Sequence, residues 1–161
     1  MKILFAASEV SPLAKVGGLG DVINSLPHAL TRLGHDVRVV IPQYGCIDIS
    51  KYPPPEVKGS FEVVISGSRE SASFNMITLN TGVPVYLIKN SRYFGGDQVY
   101  GGDDLRRFLF FSKAVFQLLP LLSWQPDVVH CHDWHSALVV RWLKKSGYHS
   151  ALVFTVHNLA Y

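Results

Sequence analysis

The chain opens with a buried-strand pattern, a glycine loop and an amphipathic helix in immediate succession, and that order leaves few folds open. "KILFAAS" is a continuous apolar run of strand length, the pattern of a strand covered on both faces inside a parallel sheet. "KVGGLGDV", residues 15–22, stands where a first strand turns into a first helix. From Leu19 the apolar residues Leu19, Val22, Ile23, Leu26, Leu30 and Leu33 recur at three and four, with Gly34 as a C-terminal stop and a bend expected at Pro27. "HDVRVVIPQYG" supplies a second strand, so the opening is a βαβ unit whose crossover should be right-handed.

Further along, "KYPPPEVKG" reads as a loop, and "SFEVVISG" and "ASFNMITLN" as short alternating strands of an antiparallel insertion. "VPVYLIKN" returns to the buried-strand pattern. "SRYFGGDQVYGGDD" is a glycine-rich, aromatic loop leading to a helix over about residues 103–122, with Asp103 and Asp104 in its first turn. "PDVVHCHD" is another buried strand, "WHSALVVRWLKKSG" a helix and "ALVFTVHN" the last strand. The expectation is an α/β fold: a Rossmann-like parallel sheet with helices on both faces and a small β insertion, one domain over residues 1–161.

Composition narrows the function classes. The net charge is +3 and the fifteen Lys and Arg are scattered without a dense run, so no nucleic-acid partner is expected. Cys46 and Cys131 have no C-x-x-C spacing, which argues against a disulfide framework or thiolate zinc site and suits a reducing cytoplasm. The first apolar run is cut short by Glu9, too early for a signal peptide. "FLFFSKAVFQLLPLLSW" is broken by Lys113, Gln117 and Pro120, so no membrane span is expected.

In open parallel sheets, ligands bind beyond the carboxyl ends of the strands. Those ends carry residues 15–21, 91–104, 132–135 and 157–158, the polar, glycine-rich and histidine-containing segments of the chain. The first loop is not a dinucleotide fingerprint, because Ile23 stands where a small residue is needed and no acidic residue closes the second strand. It is not a P-loop either, since Lys15 precedes the glycines. What remains is a lysine beside Gly17 and Gly18 at the mouth of a helix, suited to a diphosphate or a sugar hydroxyl, or else a plain tight turn.

"HCHDWH" invites a metal reading through His130, His132 and His135, but the spacing departs from H-x-H-x-D-H and His130 sits in a strand expected to be wholly buried. Asp133 is expected as N-cap of the helix that begins near Trp134. In "FTVHN", His157 and Asn158 stand at a strand end, where a histidine can donate to a substrate hydroxyl or a developing charge.

"KILFAASEVSPLAKVGGLGDVINSLPHAL", "DVVHCHDWHSALV" and "VFTVHNLAY" together resemble the amino-terminal part of bacterial glycogen synthases and plant starch synthases. The resemblance implies half of a GT-B glycosyltransferase, which transfers glucose from ADP-glucose, or in some members UDP-glucose, to the non-reducing end of an α-1,4-glucan with retention. It implies that Lys15 lies near the donor diphosphate, with Gly17 and Gly18 forming the adjoining loop and Asp21 held near the donor. Tyr100 matches a tyrosine ahead of the second large helix. His157 is implied to contact the donor glucose and steady an oxocarbenium-like transition state, with Asn158 beside it, while Asp133 and His135 line the acceptor side. No metal and no cofactor are implied. Family members are much longer, so residues 1–161 are expected to be a fragment lacking the carboxyl-terminal nucleotide-binding domain and inactive alone. A glucan-binding or regulatory module, or a GT-B transferase with another acceptor, are the competing readings.

Overall fold

The structure, a computed structural model, describes residues 1–55, 57–65 and 67–159. Among these residues seven strands form one sheet: β1 (Lys2–Ala6), β2 (Asp36–Pro42), β3 (Val57–Ile65), β4 (Ser68–Thr78), β5 (Pro84–Lys89), β6 (Val128–His132) and β7 (Ala151–Thr155). Their spatial order is β3-β4-β5-β2-β1-β6-β7. The pairs β1/β2, β1/β6, β2/β5 and β6/β7 are parallel, while β3/β4 and β4/β5 are antiparallel. The insertion therefore does not form a separate layer. It extends the same sheet beyond β5.

Among the described residues four α-helices connect the strands: α1 (Gly18–Arg32), α2 (Ser91–Phe94), α3 (Asp104–Leu118) and α4 (Trp134–Ser146). β1 is central, and Ile3, Leu4, Phe5 and Ala6 are all buried, as a strand covered on both faces must be. α1 lies against β2, α4 against β6 and β7, and α3 against α4 and β3. No helix among the described residues is long and apolar enough to cross a membrane.

Local departures from the sequence reading have local causes. α1 buries Leu19, Ile23 and Pro27, an i, i+4 row, and leaves Leu26 and Leu33 exposed. Pro27 thus occupies a core-facing position that periodicity assigned to leucine, and the helix continues through it. Its end is a Schellman closure: Gly34 has φ +86°, its N–H donates to the Thr31 carbonyl, and the His35 N–H donates to the Leu30 carbonyl. α3 stops at Leu118, short of the expected 122, and a 3-10 turn at Leu119–Leu121 carries Pro120, which cannot continue the α-helical bonding. The loop expected after β5 begins with the single turn α2, capped by the Asn90 side chain accepting from the Tyr93 N–H at 3.1 Å. β6 is not wholly buried, since Val128 and His130 are partly exposed beside the edge strand β7.

Candidate functional site

The segments beyond β1, β6 and β7, together with the loop ahead of α3, enclose a cleft of about 540 Å³. Its wall includes Glu9 and residues 16–19 after β1, Tyr100 from the loop before α3, Asp133 and His135 around the start of α4, and His157 and Asn158 beyond β7.

Glu9 is the buried organiser of the glycine loop, only 2% exposed. Its Oε2 accepts the N–H groups of Val16 at 2.7 Å and Gly17 at 3.0 Å, and its Oε1 accepts the Tyr100 hydroxyl at 2.5 Å. That hydroxyl proton being committed, the Ser8 hydroxyl is the donor in its 2.8 Å bond to the Tyr100 oxygen. A carboxylate at this depth needs such a set of donors. Two amides that the sequence left for an outside anion are therefore held by the chain itself. The N-cap Gly17 of α1 supplies no side-chain cap to the first turn.

The three glycines differ in what they do. A Cβ at Gly20 would lie 3.3 Å from Glu9 Oε2 and 3.3 Å from Lys15 Cγ, so α1 approaches the carboxylate this closely because position 20 has no side chain. Gly17 and Gly18 have no positive φ, and a Cβ on either would meet nothing within 4 Å. Neither backbone conformation nor internal packing calls for glycine at those two positions. The tight-turn reading loses its support there.

Lys15 and Asp21 pair at 2.8 Å, each about half exposed, and both lie outside the lining of the cleft. An exposed pair of this kind holds its partners weakly. Lys15 lines a neighbouring hollow of about 460 Å³ together with Asp97 and Tyr100.

Tyr100 sits on an irregular segment fixed from α3 by Arg107. That guanidinium donates to the carbonyls of Tyr93 at 2.8 Å, Gln98 at 2.9 Å and Gly101 at 3.1 Å, and pairs with Asp104 at 2.7 Å. The planar fork with its several donors suits this task, which a lysine could not perform. The Tyr100 ring stacks on His135, with centroids 5.1 Å apart.

Asp133 stands at the N-cap position of α4, but its carboxylate makes no cap bond there. Instead Oδ1 accepts the backbone N–H of His157 at 2.8 Å and of Asn158 at 3.3 Å. The capping expectation is corrected accordingly: Asp133 secures the chain beyond β7 to the start of α4. It does so from φ +56°, a left-handed value unusual for a residue with a side chain and of the kind held in place at functional sites.

Three imidazoles line one face at the end of the sheet. His130 Nε2 bonds the Thr155 hydroxyl at 2.7 Å, and His132 Nδ1 bonds His157 Nε2 at 2.8 Å. The His130 and His132 rings lie 4.1 Å apart, over Phe5. No group of three or more His, Cys, Asp or Glu among the described residues could hold a metal ion. Burial pushes His132 down to about 3, aided by the charges His130 and His157 would carry, and burial pushes His135 down to about 4 against the pull of Asp133, Glu9 and Asp104.

Both of these histidines are therefore neutral in the folded chain and protonated near 6.5 when unfolded. Their contribution to stability is complete above pH 6.5 and is lost as pH falls from 6.5 through their folded-state values. The free energy of unfolding read from urea titrations is expected to be flat above neutrality and to fall below pH 6.5, by at most about 1.4 kcal/mol per pH unit for each histidine, lowering the urea midpoint with it. A midpoint unchanged down to about pH 4.5 would contradict neutral burial.

Residues 2–161 match the starch synthase catalytic domain family. The chain belongs to this family. It is 44% identical over 173 residues to a protein of Geobacter metallireducens named glycogen synthase 2, covering 100% of this chain and 36% of the relative. It is also 44% identical over 166 residues to glycogen synthase 1 of Synechocystis, covering 100% of this chain and 33% of that one. Among solved structures, the catalytic domain of starch synthase IV from Arabidopsis thaliana, bound to ADP and acarbose, superposes with a TM-score of 0.83 at 36% identity, covering 99% of this chain and 34% of that one. The chain thus spans about a third of the length of the relatives it matches.

Within this starch synthase family member, the structure brings Gly17, Gly18, Tyr100, Asp133, His135, His157 and Asn158 to one cleft and leaves Lys15 and Asp21 outside its lining. Sequence reasoning missed Glu9, Arg107 and His132. For Glu9 the available signal was a carboxylate placed directly after a buried strand. For Arg107 the carbonyls it holds, and for His132 its imidazole partner, lie outside their own elements, and no local pattern announces them.

Proposed function

We propose that this chain is one wall of a glycogen or starch synthase site, which transfers glucose from ADP-glucose, or UDP-glucose, to the non-reducing end of an α-1,4-glucan with retention. The observation that carries the reading is the convergence of Gly17, Gly18, Tyr100, His135, His157 and Asn158 on a single cleft beyond the carboxyl ends of the parallel strands. The names of the relatives and the ADP in the Arabidopsis starch synthase structure point the same way.

In this reading the donor diphosphate lies over Gly17 and Gly18, close to the first amides of α1, and Lys15 leaves its exposed pairing with Asp21 to meet it. His157 is the catalytic residue at the donor glucose, donating to a sugar hydroxyl and holding the ring in the geometry in which the bond at the anomeric carbon breaks. Asn158 holds the sugar beside it. Asp133 and His135 line the acceptor side, His135 as a neutral imidazole whose burial against Tyr100 and Phe108 keeps it so. As the glycosidic bond to phosphate breaks, the acceptor oxygen bonds to the anomeric carbon from the same face and its proton passes to the leaving phosphate. The protein's part is positioning and charge stabilisation. The opposite wall and most of the nucleotide contacts belong to a second domain of the intact, cytoplasmic enzyme.

The direct test is incorporation of labelled glucose into glycogen by the intact protein, offered ADP-glucose and UDP-glucose separately. Consumption of neither donor would sink the assignment. A second expectation separates ligand binding from folding: Gly18→Ala should leave stability unchanged or raise it by up to about 1 kcal/mol, because glycine is costly in a folded chain, while Gly17→Ala, at the N-cap of α1, should change it by no more than about 1 kcal/mol in either direction. The same variants should raise the donor KM several-fold, by filling space that only a ligand would use. A lowered melting temperature with unchanged KM would return these glycines to a purely structural role.

A further inference from the structure

We infer that His132 is a positioning residue for His157: it donates from Nδ1 to His157 Nε2, fixes that ring as the Nδ1–H tautomer, and so turns an N–H donor toward the cleft. The 2.8 Å bond between the two rings has one proton to share, and its direction is set by what each alternative leaves behind. His132 is 1% exposed, and its Nε2 is buried without a hydrogen-bond partner among the described residues. If the bond ran from His157 to His132, the neutral His132 ring would carry its proton on that Nε2, stranding a buried N–H. If it runs from His132, only a lone pair is stranded. Buried unpaired N–H groups are the rarer and costlier of the two.

The surroundings hold His132 in this state. Phe5 stacks against its ring at 5.3 Å and His130 lies against it at 4.1 Å. Its backbone N–H donates to the Ser136 hydroxyl at 2.8 Å, fixing the turn into α4. Burial drives it down to about 3, so protonation does not interrupt the bond at working pH. His157 is thereby anchored twice, its backbone N–H by Asp133 and its ring by His132, although the residue itself is exposed.

Two readouts test this, and only the second rests on the glucosyl-transfer reading. Long-range proton–nitrogen NMR of the nitrogen-15 histidine-labelled protein, at mildly alkaline pH, should report the Nδ1–H tautomer for His157, assigned by its loss in His157→Gln. Free histidine favours the other tautomer, so the result discriminates. An Nε2–H signal for His157 overturns the inference whatever the activity. In the intact enzyme, His132→Phe keeps the ring stack and removes the donor, and should lower kcat by about a hundredfold with little change in donor KM. His132→Asn restores an N–H close to the position of Nδ1 and should recover most of that loss. Normal kcat in His132→Phe, or a His132→Asn variant as impaired as His132→Phe, would overturn the positioning role. Should His132→Phe fail to fold, the asparagine variant and the tautomer still decide.

Discussion

Replacing His157 by alanine in the intact protein is expected to lower glucosyl turnover by about two orders of magnitude, the usual scale when a group that positions the reacting sugar is lost. The fold should survive. His157 is exposed, and among the described residues its ring bonds one side chain, His132. Its backbone N–H stays with Asp133 whatever the side chain. Because the proposed contact strengthens in the transition state, kcat should carry most of the loss, with the acceptor KM nearly unchanged. Steady-state kinetics with labelled donor, beside a thermal melt, decide it. Near-normal kcat in a well-folded variant would remove His157 from the chemistry.

The second large effect is expected at Glu9, which no motif singled out. Glu9→Ala leaves the N–H groups of Val16 and Gly17 without their acceptor, and frees the Tyr100 hydroxyl from its other anchor. The expected cost is about 2–4 kcal/mol in stability, since bonds to a charged acceptor are lost from a buried site. Donor affinity should fall with it, because the glycine loop and Tyr100 are held to one another through this carboxylate. Glu9→Gln should be far milder: its amide oxygen can still accept both N–H groups, and its NH2 can donate to the Tyr100 oxygen, whose proton then turns to Ser8. The comparison is read from urea unfolding and donor KM in the two variants. An alanine variant as stable and as tight for donor as the parent would show that the loop is held by other means.

The fold was legible where a signal is local and periodic. "KILFAAS" announces a central strand and Gly34 ends α1 as expected, because a doubly covered strand and a left-handed cap each leave a mark in consecutive residues. Legibility failed where the outcome depends on distant partners. Pro27 faces the core because α1 presents an i, i+4 row to β2, and α3 ends early because Pro120 converts its last turn. The insertion joins the main sheet through the β4/β5 ladder, a pairing that the alternation of "ASFNMITLN" is compatible with but cannot specify.

The same division runs through the site. Strand ends located the segments that carry Gly17, Gly18, Tyr100, Asp133, His135, His157 and Asn158, since an open parallel sheet gathers the loops at the carboxyl ends of its strands along one edge, although Lys15 and Asp21 of the first segment lie outside the cleft lining. What the sequence withheld is the layer that holds those residues: Glu9 beneath the loop, Arg107 behind Tyr100, Asp133 turned away from its cap to the backbone beyond β7, and His132 against His157. Each acts across an interval of chain that no spacing rule spans.

The position of the bound donor decides whether this cleft is the donor site. A crystal structure of the intact protein with ADP-glucose should place the glucose against His157 and Asn158, and the diphosphate over Gly17 and Gly18 within reach of Lys15. A donor whose glucose lies away from His157 and Asn158, with these glycines untouched, would contradict it.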